Sequence, residues 1–348
     1  MSKEENKAKR QEGKITKILA NFYYVQDNEN KVWECFARGR LLKEGKHLLA
    51  GDKLSFEPVG TSQGIIVDLK ERKNKITKPP VANVDQVLAV FSTCEPDFDF
   101  YNLDRYLSYI RYELPVEEIN ICVNKIDLKK INVDKTYEKS NCKVIYVSAL
   151  TKEGFETLKD KLVNKTTVLA GPSGVGKSSI IKALAPQEDI KIGSLSAIKT
   201  GKHITRNVQL IAVNVDGNKG FLVDTPGFTQ LNFAGLDSGR LLTTFPELKN
   251  LGCNFSNCLH YDEEDCKAEV LVDSGILEQS RYQSYKNILE EVYSEIIYTK
   301  KTESKIKSIG GRKGKNKFLP KIDSRLRSKS RKKERQGLIK MHREIEEN

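Results

Sequence analysis

Eight residues in the middle of the chain, Gly171-Pro172-Ser173-Gly174-Val175-Gly176-Lys177-Ser178, have the types and spacing to hold the phosphates of a nucleotide. In G-x-x-x-x-G-K-S the glycines let the backbone curl until its amides face a phosphate. Lys177 then reaches the β- and γ-oxygens, and the Ser178 hydroxyl ligates Mg²⁺. Ser179 carries the loop into a helix-compatible run. Upstream, Asn124-Lys125-Ile126-Asp127 closes an apolar segment with N-K-x-D, which reads guanine. A carboxylate at Asp127 accepts from the N1–H and the exocyclic amine, Asn124 pairs with the purine edge, and the Lys125 stem lies along the base. Adenine has an acceptor at N1, so Asp127 would meet it with an unmatched lone pair. Ser148-Ala149-Leu150 ends a second strand-like run and would bring the Ala149 amide near guanine O6. Downstream, Asp224-Thr225-Pro226-Gly227 gives D-x-x-G, with Asp224 meeting Mg²⁺ through water and the Gly227 amide meeting the γ-phosphate.

A different chemistry sits near the C-terminus. Cys253, Cys258, His260 and Cys266 follow C-x4-C-x-H-x5-C in a polar, aperiodic segment. Three thiolates and one imidazole make a closed tetrahedral Zn²⁺ set with no open position, so one structural ion per chain is expected there. So short a module cannot hold itself together by apolar burial.

The motifs stand in an unusual order, because the base-reading residues precede the phosphate loop. The chain therefore resembles the small-subunit-dependent, circularly permuted GTPases of the RsgA type. It is similar in its permuted motifs, in an N-terminal oligonucleotide-binding (OB-type) barrel and in a C-terminal zinc module, over roughly residues 13 to 298. The resemblance implies a ribosome biogenesis switch. It would bind the small ribosomal subunit and its rRNA in the GTP state and leave on hydrolysis, late in subunit maturation. It also implies a first switch over 190–207. There Thr205 completes the Mg²⁺ shell, with Thr200 in reserve, and His203 matches the family histidine implicated in hydrolysis. His203 has a blander reading as a loop residue facing solvent or RNA. The family pattern G-R-H-T-T-T stands here as Gly201-Lys202-His203-Ile204-Thr205-Arg206.

Phe228 follows D-T-P-G where Ras-like enzymes place a water-orienting glutamine, so turnover should be slow alone and stimulated by the partner. Gly174 replaces the asparagine of cation-activated GTPases, and K⁺ dependence is not expected. An RNA-binding adaptor that holds guanine nucleotide without significant turnover is the alternative reading. A P-loop ATPase acting on nucleic acid is a third, opposed by N-K-x-D.

These residues need elements to position them. Five short strand-like runs between Gly13 and Leu69, broken by Gly, Asn, Asp or Pro, predict the small closed barrel. Its aromatics Phe22, Tyr23, Tyr24 and Trp33 suit either core packing or base stacking, and Arg38 and Arg40 suit phosphate or solvent. Beyond a polar linker, runs near 84–91, 118–123, 142–147, 166–170, 207–214 and 219–223 alternate with helix-compatible stretches. That alternation predicts an α/β sheet covered on both faces, with phosphates at the carboxyl ends of its strands. The expected division is a leader at 1–12, the barrel at 13–70, a linker at 71–83, the permuted GTPase domain at 84–236, a zinc-binding helical module at 237–299 and a basic tail at 300–348.

The charge is uneven. Residues 300–348 hold 18 Lys and Arg against 6 Asp and Glu, so the whole excess of +12 lies in the tail. Such a segment cannot bury enough apolar surface to fold and gains affinity for phosphates by counterion release, or else only solubilises the chain. No apolar run approaches a membrane span and the first residues lack a signal-peptide core, so a cytoplasmic, monomeric protein without a membrane partner is expected. Cys35, Cys94, Cys122 and Cys142 sit in or beside strand-like runs and read as buried, reduced thiols.

Overall fold

The structure, a computed structural model, describes residues 10–19, 21–39, 47–77, 80–114, 116–186, 208–215, 217–224, 231, 233, 236–249, 251–253, 258–261, 263 and 266–306, with the backbone alone at 224 and 295–306. The chain divides into Met1–Thr299 and Lys300–Asn348. The second unit contributes only the end of one helix to the described residues.

Strands β1 (Gln11–Leu19), β2 (Phe22–Asp27), β3 (Val32–Ala37), β4 (Lys53–Val59) and β5 (Gln63–Leu69) close into a barrel in the order β1-β2-β3-β5-β4. Alternation along each strand sends Ile15, Val25, Cys35, Leu54, Phe56 and Ile66 inward. Trp33 joins that core at 5% exposure, its Nε1 donating to Asp27 Oδ2 at 2.7 Å. Phe22 and Phe36 instead pair on the barrel surface with ring centroids 4.9 Å apart. Tyr23 and Tyr24 are half-buried. Arg38 meets Glu57 at 2.6 Å, whereas Arg40 lies outside the described residues.

The segment expected as a polar linker is packed. Strands β6 (Lys75–Ile76) and β7 (Val81–Ala82) pair in a hairpin, and Ile76, Val81 and Ala82 are buried. Three apolar residues among charged ones give no readable period, which is why the hairpin escapes sequence reading. Arg72 donates from Nε to Asp52 Oδ1 at 2.6 Å and from its terminal nitrogen to Oδ2 at 2.8 Å, clamping this segment to the barrel.

The central sheet comprises β8 (Gln86–Ser92), β9 (Glu118–Asn124), β10 (Lys143–Tyr146), β11 (Thr166–Ala170), β12 (Leu210–Val215) and β13 (Asn218–Asp224). Their order is β10-β9-β8-β11-β13-β12, parallel except for β12. Strands β8 and β11 are buried throughout, as a sheet covered on both faces requires. Helix α1 (Phe100–Glu113), capped by the Asp99 carboxylate, packs on one face, followed by a short turn of helix, α2 (Asp134–Tyr137). Helices α3 (Phe155–Leu162) and α4 (Lys177–Leu184) cover the other.

Helices α5 (Ser238–Thr243), α6 (Lys267–Asp273) and α7 (Gln279–Ile306) share a third core with Phe233 and Leu236, so the boundary expected at 236 crosses a packed segment. That core also takes Tyr101, Tyr109 and Tyr112 from α1. Among the described residues no helix is long and apolar enough to cross a membrane.

Candidate functional site

Strand β11 delivers the phosphate loop at its carboxyl end, and α4 begins at Lys177. Two glycines are obligatory there. At Gly171 (φ +145°) a Cβ would stand 2.1 Å from the Val90 carbonyl oxygen, and at Gly176 (φ +96°) it would stand 2.2 Å from Asn124 Nδ2. Val175 is buried in the core beneath α4 and anchors the loop's middle. Lys177 Nζ arches back over the loop, donating to the carbonyls of Gly171 at 2.8 Å and Pro172 at 2.6 Å. The ammonium is thereby held over the space the loop encircles. Pro172 is half-buried, Ser173, Gly174 and Ser179 are exposed, and Ser178 lies in the first turn of α4.

Strand β9 ends at Asn124, next to that loop. Asn124 is 1% exposed and committed at both ends of its amide: Nδ2 donates to the Val175 carbonyl at 2.9 Å, and Oδ1 accepts from the Ala149 amide at 3.1 Å. Asn124 and Ala149, expected at the purine edge and at O6, are bonded to each other. The pair ties the N-K-x-D loop, the S-A-L loop and the phosphate loop into one unit. Asp127, exposed, accepts from the buried Ser148 hydroxyl at 2.6 Å, and Ser148 Oγ in turn accepts from the Thr151 amide at 3.0 Å. One carboxylate oxygen is fixed by this relay, which turns the other outward. Lys125, at φ +66°, donates from Nζ to the Glu95 carbonyl, while its own carbonyl accepts from Thr93 Oγ1 at 2.8 Å. Leu150 stands 80% exposed beside these loops.

Asp224 closes β13, paired with Leu169 of β11, which puts the end of the D-x-x-G strand beside the start of the phosphate loop. Its side chain, and Gly227, Phe228, Thr200, His203 and Thr205, lie outside the described residues.

Cys253, Cys258, His260 and Cys266 converge, with their ligand atoms all within 4.8 Å of one another. His260 Nδ1 lies 3.5, 3.3 and 3.3 Å from the sulfurs of Cys253, Cys258 and Cys266, and the last two sulfurs are 3.9 Å apart. A tetrahedron with Zn–S of about 2.3 Å and Zn–N of about 2.0 Å has edges of about 3.5 Å (S···N) and about 3.8 Å (S···S). The four residues fit such an ion and could hold a metal. Burial pushes the Cys258 thiol up to about 12, raises that of Cys266 and lowers His260. The two buried thiols are charged only when a cation shares the site.

One constellation carried no sequence signal. Arg281 of α7, 1% exposed, donates to Asp104 of α1 and from Nε to Glu247 at 2.8 Å. Its guanidinium lies 4.7 Å from the Phe245 ring centroid and 5.2 Å from that of Tyr137. Tyr137 Oη donates to the same Asp104 oxygen at 2.9 Å. Burial raises the Asp104 carboxyl, and the Arg281 charge opposes it, as do bonds from Ser284, Arg281 and Tyr137. Four segments distant in sequence meet here, and no local pattern marks them.

The comparisons agree with this architecture. The RsgA GTPase family model matches residues 69–234 and the RsgA N-terminal domain model matches residues 12–66. A small ribosomal subunit biogenesis GTPase RsgA from Bacillus cereus is 38% identical over 291 residues, covering 81% of this chain and 97% of that protein. The one from Carboxydothermus hydrogenoformans is 39% identical, covering 82% and 98%. Among solved structures, YjeQ from Thermotoga maritima superposes with a TM-score of 0.69 at 30% identity, covering 81% of this chain and 98% of that one. YloQ, described as a circularly permuted GTPase, gives 0.67 at 31%, covering 84% and 98%. The chain belongs to the RsgA family of circularly permuted GTPases.

Proposed function

We propose that the protein hydrolyses GTP as a switch in small-subunit biogenesis, binding the small ribosomal subunit and its rRNA in the GTP state and leaving after hydrolysis. The observation that carries this reading is the double bond-making of Asn124, which joins a guanine-reading loop to a phosphate-reading loop. Asp127, oriented by Ser148, accepts from the guanine N1–H and exocyclic amine, and Lys125 lies along the base. The backbone amides from Ser173 to Ser178 surround the β-phosphate, and Lys177 exchanges its two carbonyl partners for β/γ oxygens. Ser178, Asp224 and Thr205 would hold Mg²⁺, which neutralises charge on the phosphates. Gly227 meets the γ-phosphate, and His203 positions the attacking water.

Cys253, Cys258, His260 and Cys266 hold one structural Zn²⁺. With Phe228 in the glutamine position, turnover is slow until the partner completes the site. The protein works as a cytoplasmic monomer. The test is GTP turnover measured alone, with purified small subunits and with purified large subunits. Stimulation by small subunits alone is expected, and equal rates in all three would sink the reading.

A further inference from the structure

The barrel and the sheet meet along a seam that holds a second basic concavity, remote from the nucleotide loops. Lys17 of β1 bridges to Gln209 beside β12, and Asn83 Nδ2 donates to the Gly51 carbonyl at 2.9 Å, so the seam is fixed at two places. At the seam opens a cavity of about 460 Å³ whose lining includes Lys14, Lys53 and Lys70 from the barrel side and Asn164, Lys219 and Phe221 from the sheet side. Lys14 is held at its floor, with Nζ 3.2 Å from Thr166 Oγ1 and 4.4 Å from the Phe221 ring centroid.

Two carboxylates, Glu12 and Asp27, line the cleft as well, and Asp85 lies close to Lys14. Glu12 pairs with Lys70. Asp27 accepts from Trp33 Nε1 at 2.7 Å and from the Glu29 and Lys31 amides at 2.9 Å each. Asp85 faces Lys73 at 3.7 Å and accepts from the Thr166 amide at 2.8 Å. Lys14, Lys53 and Lys219 bring three positive charges to the cleft against the one lining carboxylate, Asp27, that makes no ion pair, and none of the three lysines is ion-paired among the described residues.

We infer that this cleft binds a phosphate group, and that its source is the phosphodiester backbone of RNA laid across the barrel–sheet seam. Three ammonium groups from the two sides of the seam suit a phosphate better than a carboxylate, because a phosphate offers oxygens in several directions at once. The polar remainder of the lining, including Asn164, supplies amide donors of the kind that contact phosphate and sugar. Burial and the Lys53 charge both push Lys14 downward against the pull of Asp85, and burial lowers Lys219 against that of Asp27; an anion in the cleft relieves both. The cleft rests on the ribosomal reading only for the source of its phosphate.

The test uses the full chain and a fluorescent 12-nucleotide single-stranded RNA, titrated at several salt concentrations. Compared are the wild type, the double variant Lys53→Gln with Lys219→Gln, and Lys14→Gln as a second probe of the floor. The double variant should bind more weakly and lose up to about 0.7 from the slope of log affinity against log salt, the value for one single-strand phosphate contact. Wild-type slopes in both variants would overturn the inference. Inorganic phosphate is then added as competitor. Failure to displace RNA at millimolar levels assigns the cleft to the phosphodiester; displacement from wild type but not from the variant keeps the phosphate chemistry and makes a free phosphate its source. GTP turnover with and without small subunits is followed in parallel. Absence of subunit stimulation in the wild type would defeat the ribosomal reading while leaving the cleft result standing.

Discussion

The Asn124 side-chain amide donates to the main-chain carbonyl of Val175 at 2.9 Å, across 51 residues of sequence, so the N-K-x-D loop is bonded directly to the G-x-x-x-x-G-K-S loop. Both partners are buried, at 1% exposure each. Permutation of the chain leaves this contact possible because strands β9, β8 and β11 are neighbours in the sheet whatever order the motifs follow.

Asn124→Ala should therefore weaken GTP and GDP alike. It strands the buried Val175 carbonyl, at a cost of about 1–3 kcal/mol, and the half-buried Ala149 amide. A loss of about 10- to 100-fold in affinity is expected by nucleotide titration. Unaltered affinity would show that the two loops hold their places without the amide.

Asp127→Asn tests the base reader. The exchange reverses the hydrogen-bond polarity facing N1 and the exocyclic position, so preference should move from GTP toward xanthosine triphosphate. Competition between the two nucleotides measures it, and persistent GTP preference would refute the role of Asp127.

Much of this site was legible in the sequence because its parts are local. The phosphate loop, N-K-x-D and S-A-L each occupy a few consecutive residues after an apolar strand, and the sheet places all three at strand ends. The barrel strands were legible for the same reason, since alternation is a short-range signal. What stayed hidden depends on meetings between distant segments. The double commitment of Asn124, the packing of Ile76, Val81 and Ala82, and the Arg281–Asp104 contact are set by tertiary neighbours that no window of sequence contains.

Arg281→Met should be among the costliest single changes in the first unit. It leaves Asp104 and Glu247, 0% and 4% exposed, without their cation, and removal of one partner from a buried charge group costs about 3–5 kcal/mol. Denaturant unfolding measures it. A loss below about 1 kcal/mol, the scale of an exposed pair, would mean that water reaches the site.

Cys258→Ala should abolish metal binding, measured as zinc per chain, and loosen the third core, measured as faster amide exchange in α6 and α7. GTP binding should survive, since its ligands lie on other elements. Loss of GTP binding in a folded variant would mean that the Arg281–Asp104 contact transmits the damage to α1.

Binding and hydrolysis should separate cleanly by residue. Lys177→Ala would remove the contact to the β/γ-phosphates that we propose for the ground state, so GTP affinity and turnover should fall together. His203→Ala acts later in the reaction. If its imidazole positions the attacking water, affinity for GTP and for small subunits should stay near wild type while stimulated turnover drops by about 10²–10⁴-fold, the range for a positioned acid–base group. The variant should then accumulate on small subunits in its GTP form, visible by co-sedimentation. A fall in stimulated turnover of less than about threefold, far short of that range, would make His203 a bystander and assign the missing group to the subunit, because Phe228 offers no polar atom to replace it.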